Sequence, residues 1–153
     1  MSASAERFEV NQAQPADLAA IERLLVSRAL PTEGVPEHLA DFLVAGEGGS
    51  LLGCAGLERY GRIGLLRSVA VAASFAGRGL GHALVEAVID RAAKQGVATL
   101  YLLTTTAREY FSRMGFEVIP RDELPGALGA SAELRGACPA SAVAMRRVLR
   151  AGA

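Results

Sequence analysis

The stretch from Leu66 to Leu84, LRSVAVAASFAGRGLGHAL, decides the fold of this chain. It predicts an apolar strand, then a turn containing Gly77, Gly79 and Gly81, then a helix that begins near the last glycine. Glycines let the backbone adopt left-handed conformations and pass close to a ligand, and the helix start offers unpaired N–H groups at a positive dipole end. The geometry suits a pyrophosphate, although glycine-rich loops also serve as plain turns.

Two other phosphate-binding loops do not fit this stretch. A P-loop ends in Gly-Lys-Ser/Thr, whereas His82 and Ala83 follow Gly81 here. A dinucleotide fingerprint needs a glycine or alanine three residues after its second glycine, where this chain has His82. It also needs an acidic residue after the next strand, which here ends in the threonines 104–106. Neither nucleotide-binding motif is therefore predicted.

Hydrophobic periodicity and turn residues predict a mixed α/β fold. In the first half of the chain the predicted elements are a strand over Arg7–Ala13, a helix from Pro15, a loop or helical turn over Leu30–Pro36, a hairpin of Phe42–Ala45 with Leu51–Leu57, and a strand over Ile63–Ala72. In the second half they are a helix from Leu80 that ends at Gly96, a strand over Val97–Thr104, a helix over Ala107–Met114 capped by the threonines, a strand over Phe116–Ile119, an irregular segment, and a last strand over Ala142–Leu149. The loop near Pro31 either borders a substrate site or is a plain connection.

The order strand, helix, strand around the glycine-rich turn predicts a parallel pair. We expect the two strands to pair around residues 69 and 100. By simple alternation Arg67 shares a face with Val69 and Val71, where a charge is costly unless it has a partner. Either a substrate carboxylate or an internal partner, Glu58 or Asp41, explains such an arginine.

Composition is that of one globular domain over residues 1–153. Hydrophobic residues make up 51% of the chain and the formal net charge is zero, so neither a nucleic-acid surface nor a membrane-binding patch is expected. The first residues, MSASAERFEV, do not read as a signal peptide, which predicts a cytoplasmic protein. Cys54 and Cys138 lack metal or redox spacing, so each is expected to be a free thiol, and no metal site is predicted.

The apolar V-x-V strand followed by glycines at the helix start resembles the acetyl-CoA loop of the GNAT acetyltransferase superfamily. Val69, Val71, Gly79 and Gly81 match the pattern R/Q-x-x-G-x-G/A and its preceding strand, while Ala76 replaces the first Arg or Gln. The resemblance implies a central, mostly antiparallel sheet of about six or seven strands flanked by about four helices, and acetyl-CoA as co-substrate. The residues it implies for acetyl-CoA are Val69, Ala70, Val71, Gly77, Arg78, Gly79, Leu80, Gly81, His82 and Thr104.

The segment from Tyr101 to Phe116, YLLTTTAREYFSRMGF, resembles the second signature of the same family. In that signature a tyrosine four residues before the glycine protonates the departing thiolate of coenzyme A, but here Phe111 stands at that position and the hydroxyl lies on Tyr110. One residue along a helix turns a side chain by about 100°. Tyr110 is therefore either the proton donor in a new position or a packing aromatic at a helix end.

The family mechanism implies roles for two further groups. A backbone N–H near Val69 or Val71 polarises the thioester carbonyl, and a base takes the proton of the amine. Glu58, at the end of the strand LLGCAGLE, is the candidate base; the alternative is a solvated strand end. Arg67 is the candidate for binding a substrate carboxylate.

The resemblance covers roughly residues 35 to 149. It is closest to acetyltransferases encoded with arsenic-resistance genes and to the acetyltransferase domain of N-acetylglutamate synthases. It implies acetylation of a small primary amine, glutamate or an arsenic- or phosphorus-containing amino acid, by a homodimer. The alternatives are a protein or peptide N-acetyltransferase and a non-catalytic acyl-CoA-binding module.

Overall fold

The computed structural model describes residues 8–47, 49–137, 139 and 141–149. Over these residues the chain forms one seven-stranded sheet in the order β1-β2-β3-β4-β5-β7-β6 with helices on both faces. The strands are β1 (Val10–Gln12), β2 (Phe42–Glu47), β3 (Ser50–Tyr60), β4 (Ile63–Val71), β5 (Thr99–Thr104), β6 (Glu117–Ile119) and β7 (Val143–Val148). The helices are α1 (Leu18–Ser27), α2 (Val35–His38), α3 (Leu80–Lys94) and α4 (Arg108–Arg113). The expected mixed, mostly antiparallel architecture is confirmed.

The first half of the sheet is a meander, as the turn residues predict. β1, β2, β3 and β4 pair antiparallel with their neighbours. β1 begins at Val10 rather than at the predicted Arg7, which lies outside the described residues, as do Gly48 in the first hairpin and Cys138.

The parallel pair is present, but it is shorter and earlier than the sequence predicts. β4 meets β5 at Ile63, Gly64 and Leu65, opposite Thr99, Leu100 and Tyr101, so the expected pairing around residue 69 is wrong. Beyond Leu65 the two strands have no paired residues. This separation opens the sheet in its middle.

The same part of β4 contains a β-bulge. Gly56 of β3 pairs with Arg67 and Cys54 pairs with Ala70, so that Ala55 alone faces both Ser68 and Val69. Ser68 has a φ of 60°, in the left-handed region that is costly for a residue with a Cβ. The extra residue changes the side-chain alternation along the strand.

The bulge overturns the expected position of Arg67. Leu66 and Val69 both pack in the cluster beneath α3, whereas Arg67 contacts Pro31, in the connection between α1 and α2. Arg67 therefore lies on the face opposite Val69 and Val71. Simple alternation failed because it does not count the inserted residue.

The two faces of the sheet carry separate apolar clusters. α3 buries one stripe of side chains against β3 and β4, namely Leu80, Leu84, Val85, Val88, Ile89 and Ala92. α1 buries Ile21, Leu24 and Leu25 on the other face around Phe42. Gly96, with a φ of 89°, follows the end of α3 as predicted.

The end of the chain departs most from sequence order. β7 inserts between β5 and β6, so that β6 becomes the edge strand. The segment 121–137, predicted to be irregular, contains three short helical turns. Among the described residues no helix has the length and hydropathy needed to cross a membrane.

Gly56→Ala tests the close packing of β3 against the α1 face. A Cβ at this position would lie 2.3 Å from Cζ of the fully buried Phe42 ring. We expect the variant to lower the free energy of unfolding by about 1–3 kcal/mol in chemical denaturation, because the ring has no free space to move into. Gly126→Ala is the matched control, since nothing lies within 4 Å of its added Cβ; equal losses in both variants would contradict the prediction.

Candidate active site

A cavity of about 990 Å³ lies where β4 and β5 separate. It extends from the face of the sheet that carries α3 and α4 to the face that carries α1. Its walls come from β4, the glycine-rich turn, the end of β5, α4 and the α1–α2 connection. Leu30, Pro31 and Glu33 of that connection line the cavity, so this loop borders the site rather than serving as a plain connection.

The glycine-rich turn places the start of α3 at the cavity. Gly77 and Gly79 have φ values of 83° and 87°, which other residues adopt only with strain, and Gly79 is the residue at which α3 is capped. A Cβ on either glycine would meet nothing within 4 Å, so the turn is open on the outside. Gly79, Leu80 and Gly81 line the cavity at the first turn of α3, whose unpaired N–H groups suit a pyrophosphate.

Most residues predicted for acetyl-CoA line this one cavity. They are Val69, Ala70, Val71, Gly77, Gly79, Leu80, Gly81, His82 and Thr104. Arg78 is outside the lining, and its guanidinium carbon lies 4.5 Å from the centre of the Phe75 ring. Arg78 is the cation nearest in sequence to Ala76, which replaces the Arg or Gln of the family pattern, and its guanidinium stacks on the Phe75 ring.

The bulge supplies the backbone part of the site. Ser68 and Val69 have no paired residue on β3 or β5, and both line the cavity. The Ser68 carbonyl accepts the Cys54 S–H at 3.3 Å, and the Ser68 hydroxyl accepts a hydrogen bond from Arg67 Nε at 2.9 Å. Burial raises the pKa of Cys54 to about 12, so this thiol is an inert core group and not a nucleophile.

Thr104 positions α4 beside the cavity. Its hydroxyl accepts a hydrogen bond from the Ala107 N–H at 3.0 Å, while Thr105 and Thr106 line the cavity. The prediction that the threonines cap α4 is wrong in detail: Ala107 is the cap residue, and no side chain bonds to the helix from there. Thr104 instead closes the turn that precedes it.

Tyr110 is both a packing aromatic and a cavity residue. Its ring makes an edge contact with Phe111 at 5.1 Å, and Phe111 in turn packs against Phe116. The Tyr110 hydroxyl oxygen is buried, makes no hydrogen bond with the described residues, and lies 3.6 Å from the position of a Cβ on Gly81. Burial raises the pKa of Tyr110, so the phenol carries its proton at neutral pH. An unpaired buried hydroxyl costs about 1–3 kcal/mol, which a ligand acceptor would recover.

On the α1 side of the cavity, Arg67 is buried between two carboxylates. Arg67 Nη1 donates to Glu58 Oε2 at 2.8 Å, and Arg67 Nε lies 3.4 Å from Glu133 Oε2. All three side chains are buried. Of the two internal partners that the sequence offered for Arg67, Glu58 is the observed one, while Asp41 pairs with Arg59 and Arg91.

Glu58 is placed differently from either expectation. It is fully buried, not a solvated strand end, and it does not line the cavity, so the structure does not bring the candidate base to the acceptor. Burial disfavours the charge of Glu58, but hydrogen bonds from Tyr60 and Arg67 outweigh it and hold the pKa below its usual value. His38 Nε2 lies 3.7 Å from the same carboxylate.

Sequence reasoning missed Glu133. This residue lies in the irregular segment after β6, is 4% exposed, and lines the cavity next to Arg67. No spacing or periodicity marks it, because its partner is 66 positions away in the chain, from 67 to 133.

Comparison with known proteins shows which family contains this fold and site. The family model described as the acetyltransferase (GNAT) domain matches residues 38–118. An uncharacterised N-acetyltransferase from Chlorobaculum tepidum is 32% identical over 76% of this chain and 79% of its own length. An amino-acid acetyltransferase from Neisseria meningitidis is 29% identical over 76% of this chain.

Solved structures show the same relationship. N-acetylglutamate synthase from Neisseria gonorrhoeae, complexed with coenzyme A and N-acetyl-glutamate, superposes with a TM-score of 0.81 at 25% identity over 94% of this chain. The chain spans 35% of that protein and 29% of the Neisseria meningitidis relative. The similarity therefore concerns one part of these longer proteins.

Glu58→Gln tests the ionic state of the buried pair through the pH dependence of stability. A carboxylate whose folded pKa is lowered stabilises the fold above its unfolded pKa of about 4.3, and this contribution disappears as the pH falls through the folded value. We expect the variant to be less stable than the wild type at pH 7, and the difference to shrink in chemical denaturation as the pH falls below about 4. The exposed Glu86→Gln serves as control; a difference that stays constant down to acid pH would contradict the prediction.

Proposed function

The chain belongs to the GNAT acetyltransferase family, an N-acetyltransferase family that uses acetyl-CoA as co-substrate, and on this basis we propose that it acetylates the amine of a small amino acid. Glutamate and its arsenic- or phosphorus-containing analogues are the first candidates. The cytoplasmic location, predicted from the first residues, and the homodimer, implied by the family resemblance, stay predictions.

One observation carries this proposal. A single cavity joins the glycine-rich turn, on the α3 side, to the buried Arg67, on the α1 side. The first end suits the phosphates of acetyl-CoA, and the second offers a guanidinium to a carboxylate. Three of the five guanidinium N–H groups donate to Glu58, Ser68 and Pro31, and the Arg67 side chain is fully buried at this end of the cavity.

The relatives support an amino acid as acceptor. Several are named amino-acid acetyltransferases, and a solved neighbour contains both coenzyme A and N-acetyl-glutamate. An acceptor of this kind carries an amine and a carboxylate on the same small molecule. A site with a buried arginine beside the reacting centre suits that combination better than an uncharged alkylamine.

The bulge and Tyr110 are the groups we propose for the transfer itself. The N–H of Val69, released from strand pairing, is suited to stabilise the negative charge that develops on the thioester oxygen. The amine nitrogen attacks the carbonyl carbon, the C–S bond breaks, and the Tyr110 hydroxyl donates its proton to the leaving sulfur. A thiol of pKa about 8.5 leaves readily near neutrality, so this proton assists the reaction without being indispensable.

Turnover is the direct test of the proposed activity. We expect release of free thiol from acetyl-CoA with L-glutamate or its phosphinic or arsonous analogues, and weaker release with polyamines and aminoglycosides, which lack the carboxylate. Turnover with short peptides alone would instead support a peptide acetyltransferase. Thermal stabilisation by acetyl-CoA without turnover on any amine would support a non-catalytic binding module.

Tyr110→Phe tests the proton donor. We expect kcat to fall by about 10²-fold while the Kd for acetyl-CoA changes little, because the variant removes only the hydroxyl. Tyr101→Phe makes the same chemical change at a buried tyrosine of β5 that does not line the cavity, and we expect it to keep kcat unchanged. An unchanged kcat in Tyr110→Phe would show that the hydroxyl is not the donor.

A further inference from the structure

The connection between α1 and α2 brings a second guanidinium to the acceptor end of the cavity, which is the end on the α1 side. Arg28 is the residue at which α1 is capped, and it lines the cavity together with Leu30 and Pro31. Arg28 is exposed, and its side chain makes no hydrogen bond, ion pair or ring contact with the residues that the structure describes. Its guanidinium is therefore open to a ligand that enters the cavity.

The backbone directly after Arg28 is strained. The Ala29 N–H donates to the Val26 carbonyl at 3.0 Å, and Ala29 has a φ of 59°. Glycine usually occupies this left-handed position at a helix end, because a Cβ makes it costly. Within the described ranges Ala29 and Ser68 are the two non-glycine residues with positive φ, and both line the cavity. Since strain of this kind concentrates at functional sites, it points to the end of α1 as part of the site.

Arg28 and Arg67 differ in what surrounds them. The Arg67 side chain is fully buried, and Glu58 and Glu133 lie beside its guanidinium. The Arg28 guanidinium has no such carboxylate partner in the described part of the chain. A guanidinium presents a planar fork of donors that matches a carboxylate or a phosphinate. Of the two arginines at this end, Arg28 is thus the one that an acidic group of a ligand reaches from solvent.

The same connection also carries a negative charge. Glu33 is exposed, lines the cavity, and forms no ion pair with Arg28 or with another described residue. Opposite charges that stay unpaired on one wall suit a ligand with both an anionic and a cationic group, and an amino acid is such a ligand. A purely anionic ligand would be attracted by Arg28 and repelled by Glu33.

We propose that Arg28 binds the acidic side-chain group of the acceptor and thereby selects acidic amino acids over neutral ones. This inference rests on the proposed function and deepens it, because it names the residue that distinguishes glutamate-like acceptors from other amino acids. The amine and the α-carboxylate of an acceptor share one carbon, so both lie near the reacting centre at the bulge. The side-chain acid lies further along the molecule, and the exposed Arg28 lies nearer to solvent than the buried Ser68 of the bulge.

Arg28→Gln and Arg28→Lys, compared with the wild type, test this assignment in the full chain. Thiol release is measured with L-glutamate and with L-glutamine, whose side-chain amide has nearly the same shape as the carboxylate but no charge. The Kd for acetyl-CoA and the melting temperature are measured on the same preparations. Arg23→Gln is the matched control, because Arg23 is an exposed arginine of α1 that does not line the cavity.

We expect the wild type to prefer L-glutamate to L-glutamine by about 10²-fold in kcat/KM, and Arg28→Gln to lose this preference, because a charged pair is stronger than a hydrogen bond to an amide. The loss falls on the KM for L-glutamate. The Kd for acetyl-CoA and the melting temperature stay at their wild-type values, since the Arg28 side chain has no partner among the described residues. Arg28→Lys keeps the charge without the fork and retains part of the preference, and Arg23→Gln behaves as wild type.

Two kinds of result would overturn the assignment. A wild type that uses both amino acids equally well, or an Arg28→Gln variant whose preference for L-glutamate is unchanged, would show that Arg28 does not bind the side-chain acid, while leaving the proposed function intact. Absence of wild-type turnover on every amino acid, with acetyl-CoA bound, would overturn the proposed function and this assignment with it.

Discussion

One extra residue in β4, at Ser68, is the constraint on which the site depends. It interrupts pairing with β3, reverses the side-chain alternation of the strand, and holds a non-glycine residue at positive φ. Such a conformation costs about 1–3 kcal/mol and persists only where the surroundings enforce it, here through hydrogen bonds from Arg67 and Cys54. Because the alternation is reversed, Val69 and Arg67 lie at opposite ends of one cavity.

Close packing of α3 sets the other wall of the cavity. Gly53 of β3 makes this possible, because a Cβ there would lie 2.8 Å from a Leu84 methyl carbon and 3.0 Å from one of Leu80. The helix therefore lies directly on the sheet, and its N-terminal turn arrives at the point where β4 and β5 have separated. The position of the glycine-rich turn is thus a consequence of core packing as much as of its own glycines.

The buried charges are retained at an energetic cost. A hydrophobic replacement of a buried ion pair is often neutral or stabilising, so Arg67, Glu58 and Glu133 are poor candidates for a purely stabilising role. The unpaired Tyr110 hydroxyl is a second costly feature of the same cavity. Costly polar groups that lie in or directly beside one cavity, as these do, are typical of a site arranged for a ligand.

The sequence by itself determined most of the elements and the glycine-rich turn, because hydrophobic period and glycine position are local properties. The strand at Ile63, the helix from Leu80 and the strand to Thr104 lie close to their predicted bounds. Tertiary structure alone decided the bulge at Ser68, the insertion of β7 beside β5, and the meeting of Glu133 with Arg67. The bulge depends on an inserted residue, and the other two features depend on contacts between residues far apart in the chain. Neither an inserted residue nor a distant contact produces a periodic pattern in the sequence.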